Sequence, residues 1–136
     1  MSDRGNAEPR HVPSSELELL DNLVTRAGGA VRYLEGAKYG LRTSVYHSVA
    51  VPGSGPRTHS HPYAELFVLH EGRGRYQVGD ETFEAEAGDV IIIPSGLWHS
   101  FVNTGTGPLR QTAIHETPEH AMTFREGAGE GTETTF

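Results

Sequence analysis

The residues with the clearest chemistry are three histidines and one glutamate, which fall in two short blocks of the chain. His59, His61 and Glu65 follow one another at i, i+2 and i+6 in the first block. Side chains alternate between the two faces of an extended strand, so this even spacing directs all three to one face. His99 follows an apolar strand in the second block. Imidazoles and a carboxylate that converge inside a β-structure are suited to bind a metal ion.

The chain around these residues contains two glycine-bounded patterns. The first block fits G-x5-H-x-H-x3-E-x6-G from Gly53 to Gly72, and the second fits G-x5-P-x-G-x2-H-x3-N from Gly88 to Asn103. These are the two signatures of the cupin superfamily, and the sequence resembles its small, single-domain bacterial members. The resemblance implies an all-β fold, a double-stranded β-helix barrel of jelly-roll type. It also implies four metal ligands: His59, His61, Glu65 and His99. It implies no particular reaction, because cupins carry out many unrelated ones.

Composition supports one small barrel. The 136 residues include 17 glycines and 8 prolines, as expected for a fold with many turns. We predict a single barrel domain over residues 14–125, between flexible polar tails at 1–13 and 126–136. A capping box at Ser15 favours a short helix over 15–23, whereas the alternation of leucines there favours a strand, and both alternatives stay open.

Charge and cysteine content exclude several classes of function. The net charge of −7 argues against nucleic acid or an anionic membrane as the main partner. The absence of cysteine excludes disulfides and a thiol nucleophile. Neither a secretory leader nor an apolar run of membrane-spanning length is present, so we expect a cytoplasmic protein. Small cupins pair their barrels, and the apolar stretch 12–23 needs cover, so we expect a homodimer.

Strand periodicity gives further expectations. Residues 41–51 alternate, and the face with Val45, His47 and Val49 is the more apolar, which predicts that it points inward. Residues 90–93 are apolar without alternation, which predicts a strand covered on both faces. Gly79 and Asp80 join two alternating segments as a hairpin.

Residues beyond the four ligands are candidates for catalysis and substrate binding. If they face the interior, His47 and His115 would hydrogen-bond to the metal ligands or act as general acids or bases. Arg57 is the basic residue nearest to the first block and could pair with a carboxylate substrate. The candidate catalytic residues are therefore His47, Arg57 and His115. The candidate pocket residues are Phe67, Phe101 and Gln111, which share the parity of interior positions.

The donor set suits one divalent transition metal per chain, with Fe(II) or Mn(II) favoured and Ni(II), Zn(II) or Cu(II) compatible. Four protein ligands leave a position open for a small-molecule substrate, as a catalytic site requires. We expect a metalloenzyme acting on a small oxygenated or carboxylate substrate, with dioxygenase chemistry slightly favoured. The alternatives are a metal-assisted isomerase, epimerase or lyase, and a non-catalytic binding module.

Overall fold

The computed structural model describes residues 9–20, 29–121 and 123–125, and this part of the chain is built almost entirely of β-strands. The strands are β1 (Glu18–Leu19), β2 (Ala30–Leu34), β3 (Ser44–Ala50), β4 (His59–Ser60), β5 (Glu65–Glu71), β6 (Arg73–Val78), β7 (Glu81–Glu86), β8 (Val90–Ile93), β9 (His99–Asn103), β10 (Leu109–His115) and β11 (Thr123–Phe124). Short 3-10 turns span Ser14–Glu16 and Gly36–Tyr39.

The strands form two antiparallel sheets. One sheet has the order β1-β2-β3-β10-β5-β8, and the other has the order β11-β4-β9-β6-β7. From β3 onward the described chain passes from one sheet to the other at each connection except the β6–β7 hairpin, as in a jelly roll. The expectation of an all-β cupin-type barrel is confirmed, and the β6–β7 hairpin forms around Gly79 and Asp80 as predicted.

Alternating side chains from both sheets fill the interior. On β10, the odd-numbered residues from Leu109 to His115 are all buried. The buried hydrophobic residues are Val31, Tyr33, Tyr46, Ala50, Phe67, Leu69, Tyr76, Ala85, Ile91, Ile93, Phe101, Leu109 and Ala113. None of the four predicted metal ligands belongs to this hydrophobic cluster.

The prediction that Val45, His47 and Val49 point inward from β3 is wrong. Ser44, Tyr46 and Ser48 are buried, whereas His47 is exposed on the outer face, where its Nδ1 atom lies 3.1 Å from Oγ1 of Thr112. Ser44 is accommodated inside because Oγ accepts the backbone N–H of Gly36 at 2.9 Å. A hydroxyl with a partner is cheap to bury, so polarity alone did not identify the face.

The expected covering of β8 on both faces is also wrong for the single chain. Ile91 and Ile93 are buried, but Val90 is 57% and Ile92 is 68% exposed. In the described residues β8 pairs only with β5, so it forms one edge of its sheet. An apolar edge strand without charge or proline is a surface that natural proteins usually cover.

The ends of the described chain pack on the barrel. Residues 14–19 contain both a 3-10 turn and the short strand β1, so neither the predicted helix nor the predicted strand alone describes this segment. Residues 21–23 of the predicted helix lie outside the described residues. Strand β11 pairs with β4, as expected for the segment near Phe124. Residues 1–8 and 126–136 of the predicted tails lie outside the described residues. Among the described residues, no helix has the length and apolar character needed to span a membrane.

Candidate metal centre

Strands β4 and β9 bring three imidazoles together. His59 and His99 face each other in register across these strands, and their ring centroids are 4.3 Å apart. His61 follows β4, with its ring centroid 5.1 Å from that of His59 and 5.3 Å from that of His99. All three residues are at most 2% exposed. The even spacing in the sequence therefore places these side chains in one cluster, as predicted.

Backbone carbonyl groups fix the proton on each of the three rings. The Nδ1 atom of His59 lies 2.6 Å from the carbonyl oxygen of Arg57, and that of His99 lies 2.9 Å from the carbonyl oxygen of Leu97. The Nδ1 atom of His61 lies 2.6 Å from the carbonyl oxygen of Ala121. A carbonyl oxygen can only accept, so each Nδ1 carries the proton and each Nε2 presents a lone pair.

Glu65 supplies the carboxylate at the centre of the cluster. Its Oε1 atom lies 3.4 Å from Nε2 of His61 and 3.2 Å from Nε2 of His99, and its Oε2 atom lies 3.0 Å from Nε2 of His115. The donor atoms of His59, His61 and His99 lie within 4.8 Å of one another, and so do those of His61, Glu65 and His115. Five donor residues thus form two sets of three that share His61.

Burial keeps the imidazoles neutral. Desolvation, with a smaller contribution from the neighbouring His99, lowers the pKa of His59 from 6.5 to about 3. Desolvation likewise lowers the pKa of His61 to about 4, although Glu65 opposes the change. Both rings are therefore unprotonated at neutral pH, which is the form that binds a metal.

Glu65 is ionised despite its burial. Desolvation by itself raises the pKa of the carboxyl group, but the imidazoles of His115 and His99 outweigh this effect and hold the pKa below its usual value. The cluster at neutral pH thus combines the neutral imidazoles of His59 and His61 with the negative charge of Glu65. Three imidazoles and a carboxylate are donors that Fe(II), Mn(II), Ni(II), Zn(II) and Cu(II) all accept.

The buried polar atoms fit a metal ion. Within the described residues, Nε2 of His61, His99 and His115 and both carboxylate oxygens of Glu65 are shielded from solvent and make no well-aligned hydrogen bond. Buried polar atoms without partners are costly in a folded protein. A divalent cation among them would satisfy these atoms, so the residues present fit a metal.

A family comparison agrees with this geometry. The family model for the cupin domain, Cupin_2, matches residues 46–115, which is more than half of the chain. The chain belongs to the cupin family. The match ends at His115, so the segment that carries the carbonyl group of Ala121 lies beyond it.

Relatives of this cupin fall into curated proteins and solved structures. It is 29% identical over 99 residues to the uncharacterized protein MJ1618 of Methanocaldococcus jannaschii, and the match covers 71% of this chain and 79% of that protein. It is 33% identical over 113 residues to the polyketide synthase CurC of Streptomyces cyaneus, and this match covers 81% of this chain and 70% of that protein.

A solved structure shares the fold. The oxalate decarboxylase of Bacillus subtilis, a protein with Mn(II) centres, matches with a TM-score of 0.67 and 24% identity, over 73% of this chain and 28% of that chain. The cupin therefore spans less than a third of the decarboxylase chain, and the likeness concerns the barrel.

The other predicted residues take different places in the cupin. His115 is fully buried beside Glu65, whereas His47 is on the outer surface and contacts none of the cluster described above. Phe67 and Phe101 are buried in the interior, with ring centroids 5.6 Å apart. Gln111 is also buried, and its Oε1 atom accepts a hydrogen bond from the hydroxyl of Tyr76 at 2.5 Å. Arg57 has a half-buried side chain and contributes its carbonyl group to His59.

Two tyrosines at the site had no assigned role in the sequence analysis. The Tyr63 ring stacks on His61 with centroids 4.9 Å apart, and its hydroxyl lies 3.0 Å from Nδ1 of His115. The Tyr46 ring packs on His115 with centroids 4.4 Å apart, and its hydroxyl contacts Nδ1 of His120. The parity of Tyr46 with Ser44 and Ser48 was the available signal, but that face was predicted to point outward.

Proposed function

We propose that this cupin is a metal-dependent enzyme acting on a small oxygenated substrate, with His59, His61, Glu65 and His99 as the metal ligands. The observation that carries the proposal is the orientation of the three imidazoles by backbone carbonyl groups, which leaves each Nε2 lone pair available. A bound divalent ion would supply Lewis-acid chemistry toward substrate oxygen atoms or, as Fe(II), chemistry with O2.

The protein residues supply binding, orientation and exclusion of water. Four protein ligands leave one or two positions open in a five- or six-coordinate ion. Phe67 and Phe101 lie two residues after Glu65 and His99 on the same inward faces, so they form an apolar wall next to the ligands. A low-polarity wall strengthens the electrostatic interactions of the charged groups beside it. These features support catalysis over a purely structural metal.

The substrate class follows from the open positions. A molecule with two oxygen atoms at chelating distance gains most from two adjacent positions, as in 2-oxo acids, 2-hydroxy acids, catechols and 1,3-dicarbonyl compounds. The relative CurC is a polyketide synthase, and polyketides are compounds with repeated carbonyl oxygens. We therefore place a polyoxygenated or carboxylate substrate first.

The finer chemistry has two candidates. Dioxygenase chemistry comes first, because imidazole–carboxylate sites with open positions suit ferrous iron. A metal-assisted lyase or isomerase comes second, and the Mn(II) centres of a decarboxylase with this fold make Mn(II) the next ion to test. A non-catalytic binding module is the remaining alternative, and the water-excluded ligand cluster argues against it.

Metal analysis and substrate screening test the proposal. Protein purified without a histidine tag should contain about one divalent ion per chain by mass spectrometry. The apoprotein should then be reloaded with Fe(II), Mn(II), Zn(II), Ni(II) or Cu(II) and offered the chelating compounds above, under air and under nitrogen. The His59→Ala variant should lose metal and turnover, whereas His70→Ala, a matched change on the outer surface, should keep both. Native protein that binds none of these ions would overturn the proposal.

We further propose that the cupin pairs with a second copy. Ile92 and Val90 are the most exposed large hydrophobic residues among those described, and they lie on an edge strand. A groove of about 310 Å³ adjoins Ile92 on the same outer face, and Leu66 and Ile114 line it. A two-fold pair would cover an apolar edge on both partners at once.

A further inference from the structure

We propose that Tyr63 and His115 position Glu65 for the metal, by holding Oε2 of the carboxylate so that Oε1 alone faces the ligand imidazoles. The inference rests on the proposed function, since it takes Glu65 as a ligand. It adds a role for two residues outside the four ligands, and for the chain segment after β10.

The two oxygens of Glu65 have different surroundings. Oε1 lies near Nε2 of His61 and of His99, at 3.4 and 3.2 Å. Oε2 lies 3.0 Å from Nε2 of His115, which is fully buried. A ligand carboxylate whose second oxygen is held by a protein donor binds a metal through one oxygen. The asymmetry around Glu65 is therefore the arrangement expected for a one-oxygen ligand.

His115 differs from the three ligand imidazoles at its other nitrogen. Its Nδ1 atom faces the hydroxyl of Tyr63 at 3.0 Å, whereas each of the other three has a backbone carbonyl oxygen within 2.9 Å. The Tyr63 hydroxyl also lies 3.1 Å from Nδ1 of His61. A hydroxyl can donate as well as accept, so Nδ1 of His115 can be an acceptor, which a carbonyl partner would not allow. The ring proton is then on Nε2 and faces Oε2 of Glu65 at 3.0 Å. Nδ1 then accepts, and the hydroxyl of Tyr63 donates to it.

Ala121, in the segment after β10, contacts the Tyr63 hydroxyl through both of its backbone groups. The backbone N–H of Ala121 points to the hydroxyl oxygen of Tyr63 at 3.3 Å. The carbonyl oxygen of Ala121 lies 2.9 Å from the same hydroxyl and accepts Nδ1–H of His61 at 2.6 Å. A carbonyl oxygen can accept twice, so it competes with Nδ1 of His115 for the one hydroxyl proton, which we assign to Nδ1 of His115. With that assignment, a chain of donors runs from the backbone N–H of Ala121 through Tyr63 and His115 to Glu65. Burial raises the pKa of Tyr63 above its usual value, so the hydroxyl keeps its proton.

Strand pairing and ring packing fix His115 in place. His115 and Glu65 are direct partners in the register of β10 and β5. The Tyr46 ring covers one side of the imidazole, with centroids 4.4 Å apart. Neither contact depends on a bound metal, so the barrel itself sets the orientation of the carboxylate. One consequence is that a coordination position stays free for the substrate.

A fourth imidazole ligand is the rival interpretation. His115 Nε2 is at hydrogen-bond distance from Oε2 but not aligned with it, which a metal ligand would also show. The two interpretations predict different numbers of imidazoles bound to the metal. They also predict different metal affinities when His115 is replaced by a side chain that can donate a hydrogen bond to Oε2 but has no imidazole. Glutamine can place an amide N–H near the position of Nε2, and leucine cannot.

Metal binding by His115→Gln, His115→Leu and Tyr63→Phe tests the proposal. Pulsed EPR of the Cu(II)-loaded proteins counts the imidazoles, and competition with a chelator measures Co(II) affinity. We expect three imidazoles in the native protein and in all variants. We expect His115→Leu to lose about 10–100-fold in affinity, as for other groups that orient a ligand, with His115→Gln largely restoring it and Tyr63→Phe losing less.

Contrary outcomes separate this inference from the proposed function. Four imidazoles in the native protein and three in His115→Gln would make His115 a ligand and overturn the positioning role. Native affinity in both His115→Leu and Tyr63→Phe would also overturn it, while leaving the metal site intact. If His115→Leu does not fold, the other two variants decide. Native affinity in Tyr63→Phe together with lost affinity in His115→Gln would then overturn the positioning role. A native protein that binds neither Co(II) nor Cu(II) would remove the proposed function itself.

Discussion

Nε2 of His115 lies 3.0 Å from Oε2 of Glu65, and the two residues face each other across strands β10 and β5. The cross-strand register creates this contact between residues fifty positions apart in the chain. It places a histidine from outside both cupin motifs at the carboxylate that the first motif supplies. The candidate metal centre thus depends on strands from both sheets.

Removing a ligand should abolish metal binding without unfolding the barrel. His61→Ala deletes an Nε2 donor and should weaken Co(II) binding by more than about 100-fold, the upper range for groups that only orient a ligand. The hydrophobic core contains no ligand, so the far-ultraviolet circular dichroism spectrum should be unchanged. His70→Ala is the matched control, because His70 is exposed on the outer face, where its Nε2 atom lies 2.8 Å from Oγ1 of Thr112. An unfolded His61→Ala protein would show that the metal is structural.

The apoprotein should lose stability in mild acid. The folded state holds the pKa of His59 at about 3 and that of His61 at about 4, whereas both are near 6.5 in the unfolded chain. As the pH falls below about 6.5, these two histidines bind protons in the unfolded state but stay unprotonated in the folded state. The free energy of unfolding should therefore decrease, by up to about 1.4 kcal/mol per pH unit for each histidine, until the folded-state pKa is reached.

Urea denaturation of the apoprotein at pH 7, 6, 5 and 4.5 measures this loss. Glu65 acts in the same direction, but only below its unfolded-state pKa of 4.5, because its folded-state pKa is depressed. His61→Gln should flatten part of the slope between pH 6.5 and 4.5. Midpoints that stay constant over this interval would contradict the assignment of neutral buried imidazoles.

The sequence allowed prediction of the fold and the ligand cluster because both depend on local spacing. His59, His61 and Glu65 lie within one motif, and strands such as β10 carry a clear period of two. The inner face of β3 depends instead on distant partners. Ser44 donates to the carbonyl oxygen of Thr117 at 2.9 Å, and Tyr46 contacts His120, so these polar side chains are inside. The outward valines resembled a core because the outer face of this sheet is itself apolar.

A methyl group at Gly55 should disrupt the barrel next to the site. A Cβ atom there would lie 1.8 Å from the backbone carbonyl oxygen of Phe101, which cannot move without shifting β9 and His99. Gly55→Ala should therefore cost about 3 kcal/mol or more, at the upper end for overpacked positions. Gly107→Ala is the matched control, since a Cβ atom there meets nothing within 4 Å. Thermal melts of both variants decide the comparison, and equal melting temperatures would contradict this packing.

A charge on β8 should separate the proposed dimer. Ile92→Lys places an ammonium group at a residue that is 68% exposed in the single chain, so the fold should tolerate it. The same charge buried between two copies would be costly, and light scattering should then report a monomer at micromolar concentration. Thr82→Lys, at an exposed position on the other sheet, should leave the dimer intact. A native protein that is already monomeric would refute the pairing.

Chelating ligands should reveal the open coordination position, and the gas phase should then identify the reaction. Anaerobic Fe(II)-loaded protein should change its visible absorption when a 2-oxo acid, a catechol or a 1,3-dicarbonyl compound is added, because the ligand replaces water at the metal. The His99→Ala variant should show no such change, since it lacks one of the three donor imidazoles. With a turned-over substrate, dioxygenase chemistry requires O2 uptake in proportion to product. Equal turnover under nitrogen would contradict the dioxygenase branch and leave Lewis-acid lyase or isomerase chemistry, which the Mn(II)-loaded protein should then support equally well.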